Sequence, residues 1–379
     1  MLLHRRQILA ATAASLLLPQ VSFAKAATER RLVFVIQRGA ADGLATLAPT
    51  GDPGYASLRG DLAEDLLGLP KLSGMFALHP ALKQINAMYG ARQALFVNAV
   101  GLPYRDRSHF DAQNVLETGG ALPYDRPDGW MNRLLGLLPA GERGLAISAT
   151  IPTALRGPVQ VSSFAPSALP DASADLLQRV GSMYADDAQL HPLWEEAMQT
   201  RAMAGDLVGS NAKGALAAGK LIGSLMKGAE GARVVMVETT GWDTHAGQRA
   251  RLNNQLEGLD AMLGALQADL GPVWADTLVV VATEFGRTAA VNGTGGTDHG
   301  TASLAMLLGG TVAGGRIVSD WPGLGQSQLY EGRDLKPTMG LDAAIGTAVA
   351  EHFGLDPAMA LPQLFPGSKD PRISGLIRG

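Results

Sequence analysis

Cysteine is absent from the sequence, and this excludes disulfides, thiolate metal sites and cysteine nucleophiles. A block of basic residues is lacking too, because 31 Lys and Arg are outnumbered by 35 Asp and Glu. A mildly acidic chain without a basic block argues against nucleic acid or an anionic membrane surface as partner. The chemistry of this chain therefore has to rest on carboxylates, imidazoles, hydroxyls and scattered arginines.

A long uninterrupted apolar run is also lacking. The first apolar run, residues 8–24, is short for a bilayer and is interrupted by a proline and a glutamine. It follows Arg5 and Arg6 and ends at an A-x-A cleavage site at residues 24–26. The arginine pair followed by x-apolar-Leu resembles a twin-arginine export signal. We predict that residues 1–26 are a cleaved signal peptide, the alternative being a retained anchor. The mature protein is then periplasmic or secreted and has no membrane span.

The mature chain, residues 27–379, is long enough to bury a large core as one α/β domain or as two smaller ones. Five short, β-branched apolar runs are typical of strands that are buried on both faces of a parallel sheet. They are RLVFVIQ, ALFVNAV, ARVVMVE, TLVVVAT and SLAMLLG, which begin at residues 31, 94, 232, 277 and 303.

Between these runs, apolar residues spaced by three and four predict helices, most clearly over residues 247–270. The alternation of strands and helices predicts a single α/β domain with an open, doubly wound, mostly parallel sheet and helices on both faces. Residues 150–230 are richer in Ala, Ser, Gly and Pro, and we predict a small helical insertion or cap there. The further helical patterns cover residues 80–90, 108–118, 130–138, 192–204 and 340–353.

Polar residues next to the predicted strands are the first candidates for a site, because ligands bind open α/β sheets beyond the carboxyl ends of the strands. Three of the seven histidines lie in such segments. Four groups follow strands and a fifth precedes one. They are Arg38 and Asp42; Arg105, Arg107, Ser108, His109 and Asp111; Asp243, Thr244 and His245; Glu284 and Arg287; and Asp298 and His299.

Metal binding is the chemistry that this set favours. Carboxylates and neutral imidazoles suit Zn, Mn, Mg or Ca, depending on how many of each converge. Two close divalent ions could clamp the attacking and leaving oxygens of a phosphoryl or sulfuryl transfer. Arg38, Arg107 and Arg287 could hold the anionic group, because a guanidinium matches its oxygens bidentately. The candidate metal ligands are Asp42, His109, Asp243, His245, Glu284, Asp298 and His299.

Each of these elements also has a purely structural interpretation. Ser108-x-x-Asp111 is the pattern of a capping box that starts a helix, although the Ser108 hydroxyl would at the same time lie where an anion docks. The other structural interpretations are a turn at Asp42-Gly43, a loop histidine at His245, a salt bridge between Glu284 and Arg287, and a cap near Pro80 for His79.

Eight motifs cover nearly all of the mature chain, from about residue 31 to beyond residue 325. They are RGAADGL, ALHPAL, RSHFDAQ, GWDTHAGQ, VVVATEFGRT, NGTGGTDHGTA, LGGTVAGG and DWPGL. As a set they resemble an exported, uncharacterised family, domain of unknown function 1501. That family has no established activity, so the resemblance implies little about mechanism.

A more distant resemblance is to the alkaline phosphatase and sulfatase-like superfamily, which includes cofactor-independent phosphoglycerate mutases. It rests on the order of an Asp-Gly after the first strand, a Ser at a helix start, a later Asp and His, an apolar strand that ends in Thr and an acid, and a final Asp-His. The resemblance implies that Asp42 is a metal ligand and that Ser108 is the nucleophile. It also implies that Asp243, His245 and the late His299 hold a first metal.

The chain departs from that superfamily at two points. Its late strand ends in Thr-Glu-Phe at residues 283–285, where the superfamily has Thr-x-Asp-His, so one imidazole is missing and a Glu replaces the Asp. The spacing of Asp243 and His245 is also tighter than the usual Asp-x-x-x-His. These departures allow a single metal, a different second ligand such as His109, or a degenerate site.

Three functions of different classes are consistent with these residues. The first is an exported metal-dependent hydrolase or transferase acting on phosphate or sulfate esters, with an anionic small molecule or ester as substrate and Ser108 as nucleophile. The second is a non-catalytic exported binding module that retains a degenerate metal or anion site. The third is a metal-dependent hydrolase of another ester or amide, in which water attacks and Ser108 only caps a helix.

Overall fold

Two sheets organise the chain. The computed structural model describes residues 29–165, 174–185, 187–204, 214–228, 230–369 and 373–378. Within these residues nine strands form the main sheet and three form a small antiparallel sheet. The strands are β1 (Arg31–Gln37), β2 (Leu47–Ala48), β3 (Lys71–Ser73), β4 (Phe76–Leu78), β5 (Ala94–Gly101), β6 (Gly144–Ile147), β7 (Val161–Ser163), β8 (Val234–Thr239), β9 (Thr277–Ala282), β10 (Ser303–Leu308), β11 (Arg316–Val318) and β12 (Met339–Gly340).

The main sheet has the strand order β11-β5-β10-β9-β1-β8-β6-β7, with β12 paired to β5. Its central strands β9, β1 and β8 are parallel, which confirms the predicted mostly parallel sheet. The direction of β10 could not be predicted from the sequence. This strand is antiparallel to both of its neighbours, β5 and β9. No crossover helix separates β9 from β10. The chain therefore re-enters the sheet at the edge where it left, and this makes the pair antiparallel.

Helices cover both faces of the main sheet. Among the described residues, no helix is long and apolar enough to cross a membrane. The helices, apart from short 3₁₀ turns, are α1 (Gly43–Thr46), α2 (Tyr55–Arg59), α3 (Lys83–Gly90), α4 (His109–Thr118), α5 (Trp130–Leu137), α6 (Ala174–Tyr184), α7 (Leu190–Ala204), α8 (Ala215–Met226), α9 (Gln248–Leu270), α10 (Leu341–His352) and α11 (Pro357–Leu364).

Strand β1 shows why the buried strands read as continuous apolar runs. Leu32, Phe34 and Ile36 pack into the core that contains α4, α5, α10 and α11. Val33 and Val35 point to the other face and pack against α3, α8 and α9. Both faces of the strand are thus buried, and each such side chain contributes about 1.5–3 kcal/mol on burial.

The predicted helices are present, and α9 is the clearest case. The leucines at its three-to-four spacing are buried against the sheet, which confirms the helical pattern. The other predicted helical segments correspond to α3, α4, α5, α7 and α10. The buried leucines of α9 are Leu252, Leu256, Leu259, Leu263, Leu266 and Leu270.

Residues 150–230, predicted as an insertion or cap, also contribute to the main layers. Strand β7 extends the sheet in parallel with β6. Helix α8 packs so closely on α9 that a Cβ at Gly219 would meet the Met262 carbonyl oxygen at 2.1 Å. The prediction of an insertion or cap is therefore narrowed to α6 and α7, since β7 and α8 belong to the main layers. Part of this segment, like the predicted signal peptide (residues 1–26), lies outside the described residues.

Candidate metal centre

The carboxyl ends of β1, β5, β8 and β9 meet at one edge of the main sheet. Strand β5 points the same way as β9, because β10 is antiparallel to both, and β10 therefore begins at this edge. The edge brings together three histidines and an aspartate. His109 opens α4 after β5, Asp243 and His245 follow β8, and His299 precedes β10.

The side-chain atoms of these four residues, which we call the ligand cluster, converge. His299 Nε2 lies 2.9 Å from His109 Nε2 and 3.0 Å from His245 Nε2. Asp243 Oδ1 lies 3.0 Å from His245 Nε2 and 3.3 Å from His299 Nε2. One atom each of His109, Asp243 and His299 lie within 4.8 Å of one another. These three atoms are close enough to surround a single ion, and His245 Nε2 lies 3.0 Å from His299 Nε2 and from Asp243 Oδ1.

Two carboxylates hold two of these imidazoles from behind. His109 Nδ1–H donates to Glu284 Oε1 at 2.8 Å, and His245 Nδ1–H donates to Asp298 Oδ1 at 3.1 Å. An ionised carboxylate only accepts, so each neutral imidazole carries its proton on Nδ1. The Nε2 lone pairs of His109 and His245 then face His299 Nε2, and the Asp243 carboxylate lies beside them. A divalent ion that accepts these lone pairs fits this arrangement.

Glu284 is not brought into the ligand cluster, although the sequence predicts it as a metal ligand. Its side chain is 0 % exposed. Besides the bond from His109, Glu284 Oε1 accepts from Gln113 Nε2 at 2.9 Å and from the Gly39 backbone N–H at 2.8 Å. Its Oε2 accepts from the Thr283 hydroxyl at 3.1 Å. These donors occupy the carboxylate, which orients His109 instead of binding an ion directly.

Phe285 also contacts His109. The two rings are stacked, with centroids 4.9 Å apart and planes at 28°. The departure of Glu284-Phe285 from the superfamily pattern therefore has a local explanation, because both residues hold one imidazole that comes from a different segment of the chain.

Asp298 lies outside the converging atoms as well, although it too is predicted as a metal ligand. Its side chain is 55 % exposed, and Oδ1 accepts from His245 Nδ1 and, at 3.1 Å, from Asn292 Nδ2. The hydrogen bonds from Asn292 and His245 lower the pKa of Asp298. Asp298 thus stays ionised and orients His245 in the way that Glu284 orients His109.

Asp42, the remaining predicted ligand, has both carboxylate oxygens engaged in hydrogen bonds with residues outside the ligand cluster. Its Oδ1 caps α1 by accepting from the Ala45 N–H at 3.1 Å. Its Oδ2 accepts from Arg59 and from Gln248. The side chains of Asp42 and Arg59 are 1 % and 0 % exposed. A buried guanidinium therefore neutralises this carboxylate within the fold.

Ser108 is the N-cap residue of α4, as both of its predicted roles require. Its side chain makes no capping hydrogen bond. Asp111, the other residue of the predicted capping box, accepts instead from the Tyr104 hydroxyl at 3.1 Å. The reciprocal bonds of a capping box are not formed, so capping does not account for a serine at this position.

Arg107, predicted to hold an anion, is engaged in ion pairs within the protein. Its Nε donates to Asp334 at 2.9 Å and its Nη2 to Glu331 at 2.6 Å. Arg333, next to Asp334, donates to the His299 carbonyl oxygen, and its Nε lies 3.4 Å from Asp334 Oδ1. The Arg333 side chain is nevertheless 43 % exposed. Arg333 thus places an exposed guanidinium beside the ligand cluster.

Arg287, also predicted to hold an anion, pairs with Asp243 and not with Glu284. Its side chain is 0 % exposed, and Nη1 donates to Asp243 Oδ1 at 2.6 Å. Desolvation alone would raise the pKa of Asp243, but the hydrogen bond from Arg287 lowers it. Arg287 therefore keeps the one carboxylate of the ligand cluster ionised.

The imidazoles differ in how readily they are protonated. The hydrogen bond to Glu284 raises the pKa of His109. Desolvation and the neighbouring His109 lower the pKa of His299. Burial alone would raise the pKa of Glu284, but hydrogen bonds from His109 and Gln113 lower it. His299, at the centre of the cluster, is therefore held in the neutral form that a metal requires.

The loop between β9 and β10 folds back on itself and carries His299. Arg287 and His299 form an antiparallel backbone bridge, and Gly300 N donates to the Gly286 carbonyl oxygen at 2.8 Å. A Cβ at Gly286 would meet the Ala302 carbonyl oxygen at 1.7 Å. Glycine is thus required where the two backbones touch, and this contact fixes His299.

The sequence reasoning missed the partners that orient these residues. Gln113 and Gln248 are the last residues of RSHFDAQ and GWDTHAGQ, so both lie in motifs that also contain candidate metal ligands. Their neighbours Glu284 and Asp42 come from distant segments. A single sequence carries no signal for such pairings.

Comparison with known proteins assigns the chain to a family. A family model described as "Protein of unknown function (DUF1501)" matches residues 29–361. The chain belongs to this family, and the resemblance found in its motifs is confirmed. No curated protein matches it.

Several solved structures are similar to this one over most of the chain. The C-terminal periplasmic domain of EcEptC from Escherichia coli, in complex with Zn, is 11% identical, with 91% of this chain and 89% of that chain covered and a TM-score of 0.44. The phosphonate monoester hydrolase of Agrobacterium radiobacter is 11% identical, with 91% and 79% covered and a TM-score of 0.36. The alkaline phosphatase from the Antarctic bacterium TAB5 is 11% identical, with 74% and 91% covered and a TM-score of 0.36. At such scores these similarities assign no activity to this chain.

Proposed function

We propose that the protein is an exported, divalent-metal-dependent hydrolase or transferase that acts on phosphate or sulfate esters. The convergence of three imidazole Nε2 atoms and the Asp243 carboxylate carries this proposal. The Nδ1 protons of two of these imidazoles are directed to carboxylates behind them, which leaves their Nε2 lone pairs facing His299 Nε2. That arrangement supports a metal centre, because outer carboxylates commonly orient the imidazoles that bind a metal.

The ligand cluster would hold one ion. Three imidazoles and one carboxylate suit Zn²⁺ better than Mg²⁺ or Ca²⁺, which prefer oxygen ligands. When bound, the ion would polarise an ester oxygen as a Lewis acid. Glu284 and Asp42, the carboxylates from which a second site could be built, are occupied by His109 and by Arg59. We therefore expect one equivalent of metal and not two.

Ser108 is the proposed nucleophile. It directly precedes His109 of the ligand cluster, and its hydroxyl does not cap α4. The first N–H groups of a helix also favour an anionic group at this position. Arg333, the exposed guanidinium beside His299, is the proposed contact for the anionic ester. Arg287 is fully buried and Arg107 is held by two carboxylates, so we assign the anion to neither.

Metal content tests the centre. We expect untagged protein, after incubation with Zn²⁺ and gel filtration, to retain about one equivalent by mass spectrometry, since the cluster offers four ligands. His299→Ala should retain less than about a tenth of that amount. His191→Ala is the matched control, because His191 pairs with Glu195 on the exposed surface of α7. Equal zinc in all three proteins, or none in the wild type, would refute the centre.

Ester hydrolysis tests the reaction. We expect Zn-loaded protein to cleave at least one member of a panel of phosphate monoesters, phosphate diesters and sulfate esters. Ser108→Ala should lose more than about 100-fold in rate, while the exposed Ser57→Ala should not change. Zinc binding without cleavage of any ester would favour the alternative, a non-catalytic exported binding module with a degenerate site.

A further inference from the structure

A series of side chains leads from β1 to the back of His109. Gln113 lies one turn along α4 from His109. Its Nε2 donates to Glu284 Oε1 at 2.9 Å, the same oxygen that accepts from His109 Nδ1 at 2.8 Å. On its other side, Gln113 Oε1 accepts from Arg38 Nη1 at 2.8 Å. Direct hydrogen bonds therefore connect Arg38, Gln113, Glu284 and His109.

Arg38 determines which way the Gln113 amide faces. An amide has an acceptor oxygen and a donor nitrogen, whereas an arginine only donates. Gln113 Oε1 must therefore face Arg38, and its Nε2 must face Glu284. Arg38 is itself fixed, because Nη2 lies 2.9 Å from Glu117 Oε1 and 2.6 Å from Glu238 Oε1. The orientation of the amide is thus set from outside the ligand cluster.

Gln113 limits the movement of Glu284 in turn. Glu284 Oε1 accepts from three donors, and the loss of one of them leaves the carboxylate freer to turn away from His109. Gln113 and the Gly39 N–H, at 2.9 and 2.8 Å, hold Glu284 Oε1 at the position where His109 Nδ1 reaches it. Neither Gln113 nor Arg38 is among the converging ligand atoms, so each acts through Glu284.

We propose that Gln113 and Arg38 are positioning residues of the metal centre: they hold Glu284 so that His109 keeps its proton on Nδ1 and its Nε2 lone pair toward the ligand cluster. The inference rests on the proposed metal centre. It also explains why the chain has a glutamine at the end of RSHFDAQ and an arginine at the start of RGAADGL. The two motifs meet at one hydrogen bond.

The test compares Gln113→Leu with a matched Gln267→Leu. Leucine removes the amide while nearly keeping the volume. Gln267 Nε2 likewise donates to a side chain, Gln93 Oε1, at 2.9 Å. Gln93 precedes β5 and so lies at the opposite edge of the sheet. Zn²⁺ affinity is measured by competition with a chelator. We expect Gln113→Leu to bind about 10–100-fold more weakly, the usual effect of losing an outer partner of a ligand, and Gln267→Leu to bind as the wild type does.

A metal-free readout separates positioning from a general loss of structure. Nitrogen-15 NMR of the imidazoles should show the Nδ1–H tautomer of His109 in the wild type and in Gln267→Leu. A mixture of tautomers is expected in Gln113→Leu. An unchanged His109 tautomer together with unchanged zinc affinity would overturn the inference while leaving the metal centre in place. A wild type that binds no zinc would overturn both.

Arg38→Met extends the test to the start of the series. We expect it to weaken zinc binding less than Gln113→Leu does, because methionine leaves the glutamine present but free to turn. The double variant should bind no more weakly than Gln113→Leu alone, since Arg38 acts only through Gln113. Additive losses would show that Arg38 acts by another route and would overturn its part of the inference.

Discussion

Two aspartates of this protein differ in their exposure to solvent. One is Asp243 of the ligand cluster and the other is Asp42, which pairs with Arg59. The Asp243 side chain is 42 % exposed and faces imidazole nitrogens. Asp42 is 1 % exposed, and a buried guanidinium neutralises it. Each carboxylate accepts from a buried guanidinium, Arg287 for Asp243 and Arg59 for Asp42. Asp243 in addition faces solvent and imidazole nitrogens, so a cation can still approach it. The neighbours of a carboxylate, and not its residue type, determine whether it can bind a metal.

The largest expected effect is the loss of the buried cation. Arg59→Met leaves Asp42 charged and without its guanidinium, and we expect a loss of about 3–5 kcal/mol in the free energy of unfolding. Urea unfolding of metal-free protein measures this loss. Arg249→Met is the control, because the ion pairs of Arg249 with Asp65 and Glu64 are on the surface. It should leave the free energy of unfolding nearly unchanged, because water and salt screen exposed ion pairs.

An Arg59→Met protein as stable as the control would remove the contrast between the two carboxylates. If Arg59→Met still retains one equivalent of zinc, the result would support the conclusion that Asp42 does not bind the metal.

A smaller effect on stability is expected from His352, a fully buried histidine outside the ligand cluster. Burial lowers the pKa of His352 to about 3, from 6.5. Its Nδ1 lies 3.1 Å from the Thr311 hydroxyl and its Nε2 3.0 Å from the Arg31 carbonyl oxygen. The folded pKa is below the unfolded one, so the unfolded chain takes up the proton first as pH falls. Stability should be complete above pH 6.5 and decline below it, by about 2 kcal/mol at pH 5 from this residue.

Chemical unfolding at pH 7 and pH 5 measures that decline. His352→Gln should be less stable than the wild type at pH 7, and this difference should shrink by about 2 kcal/mol at pH 5, because the variant lacks this part of the pH dependence. If the variant loses as much between pH 7 and pH 5 as the wild type does, then His352 is not the responsible group.

The smallest effect concerns the exposed carboxylate behind His245. Asp298→Asn keeps an acceptor but removes the charge, and we expect about tenfold weaker zinc binding, at the low end for an outer partner because the side chain is exposed. Asp276→Asn is the control, since Asp276 precedes β9 at the opposite edge of the sheet. Competition with a chelator measures both. Equal affinities would show that Asp298 does not contribute to the centre.

The layers of the fold could be predicted from the sequence. The apolar runs and the leucine spacing of α9 report burial, and burial on both faces is what a covered sheet requires. The direction of β10 could not be predicted, because an apolar run has the same composition whichever way it enters the sheet. The short strands at the edges, such as β7 and β11, have too few residues for a periodic pattern.

The location of the candidate site could also be predicted, because polar residues next to strands are brought to the same edge. Which of them converge could not. Glu284 and Asp298 lie near the cluster yet bind imidazole Nδ1 atoms, and Asp42 is held by Arg59, a residue for which the sequence predicted no role. These outcomes depend on long-range pairs between side chains, and neither spacing nor composition encodes such pairs.

The folded-back loop between β9 and β10 has a consequence for the entropy of ion capture. Backbone contacts at Gly286 and Gly300 fix the strand-like segments on either side before any ion arrives. His299 therefore has little freedom to lose when an ion arrives, so the ordering cost of binding is small, while the water released by the ion and the ligands gains entropy. We expect ion uptake at this centre to be fast and to leave the backbone almost unmoved, as in a rigid receptor and unlike a peptide that folds around its metal.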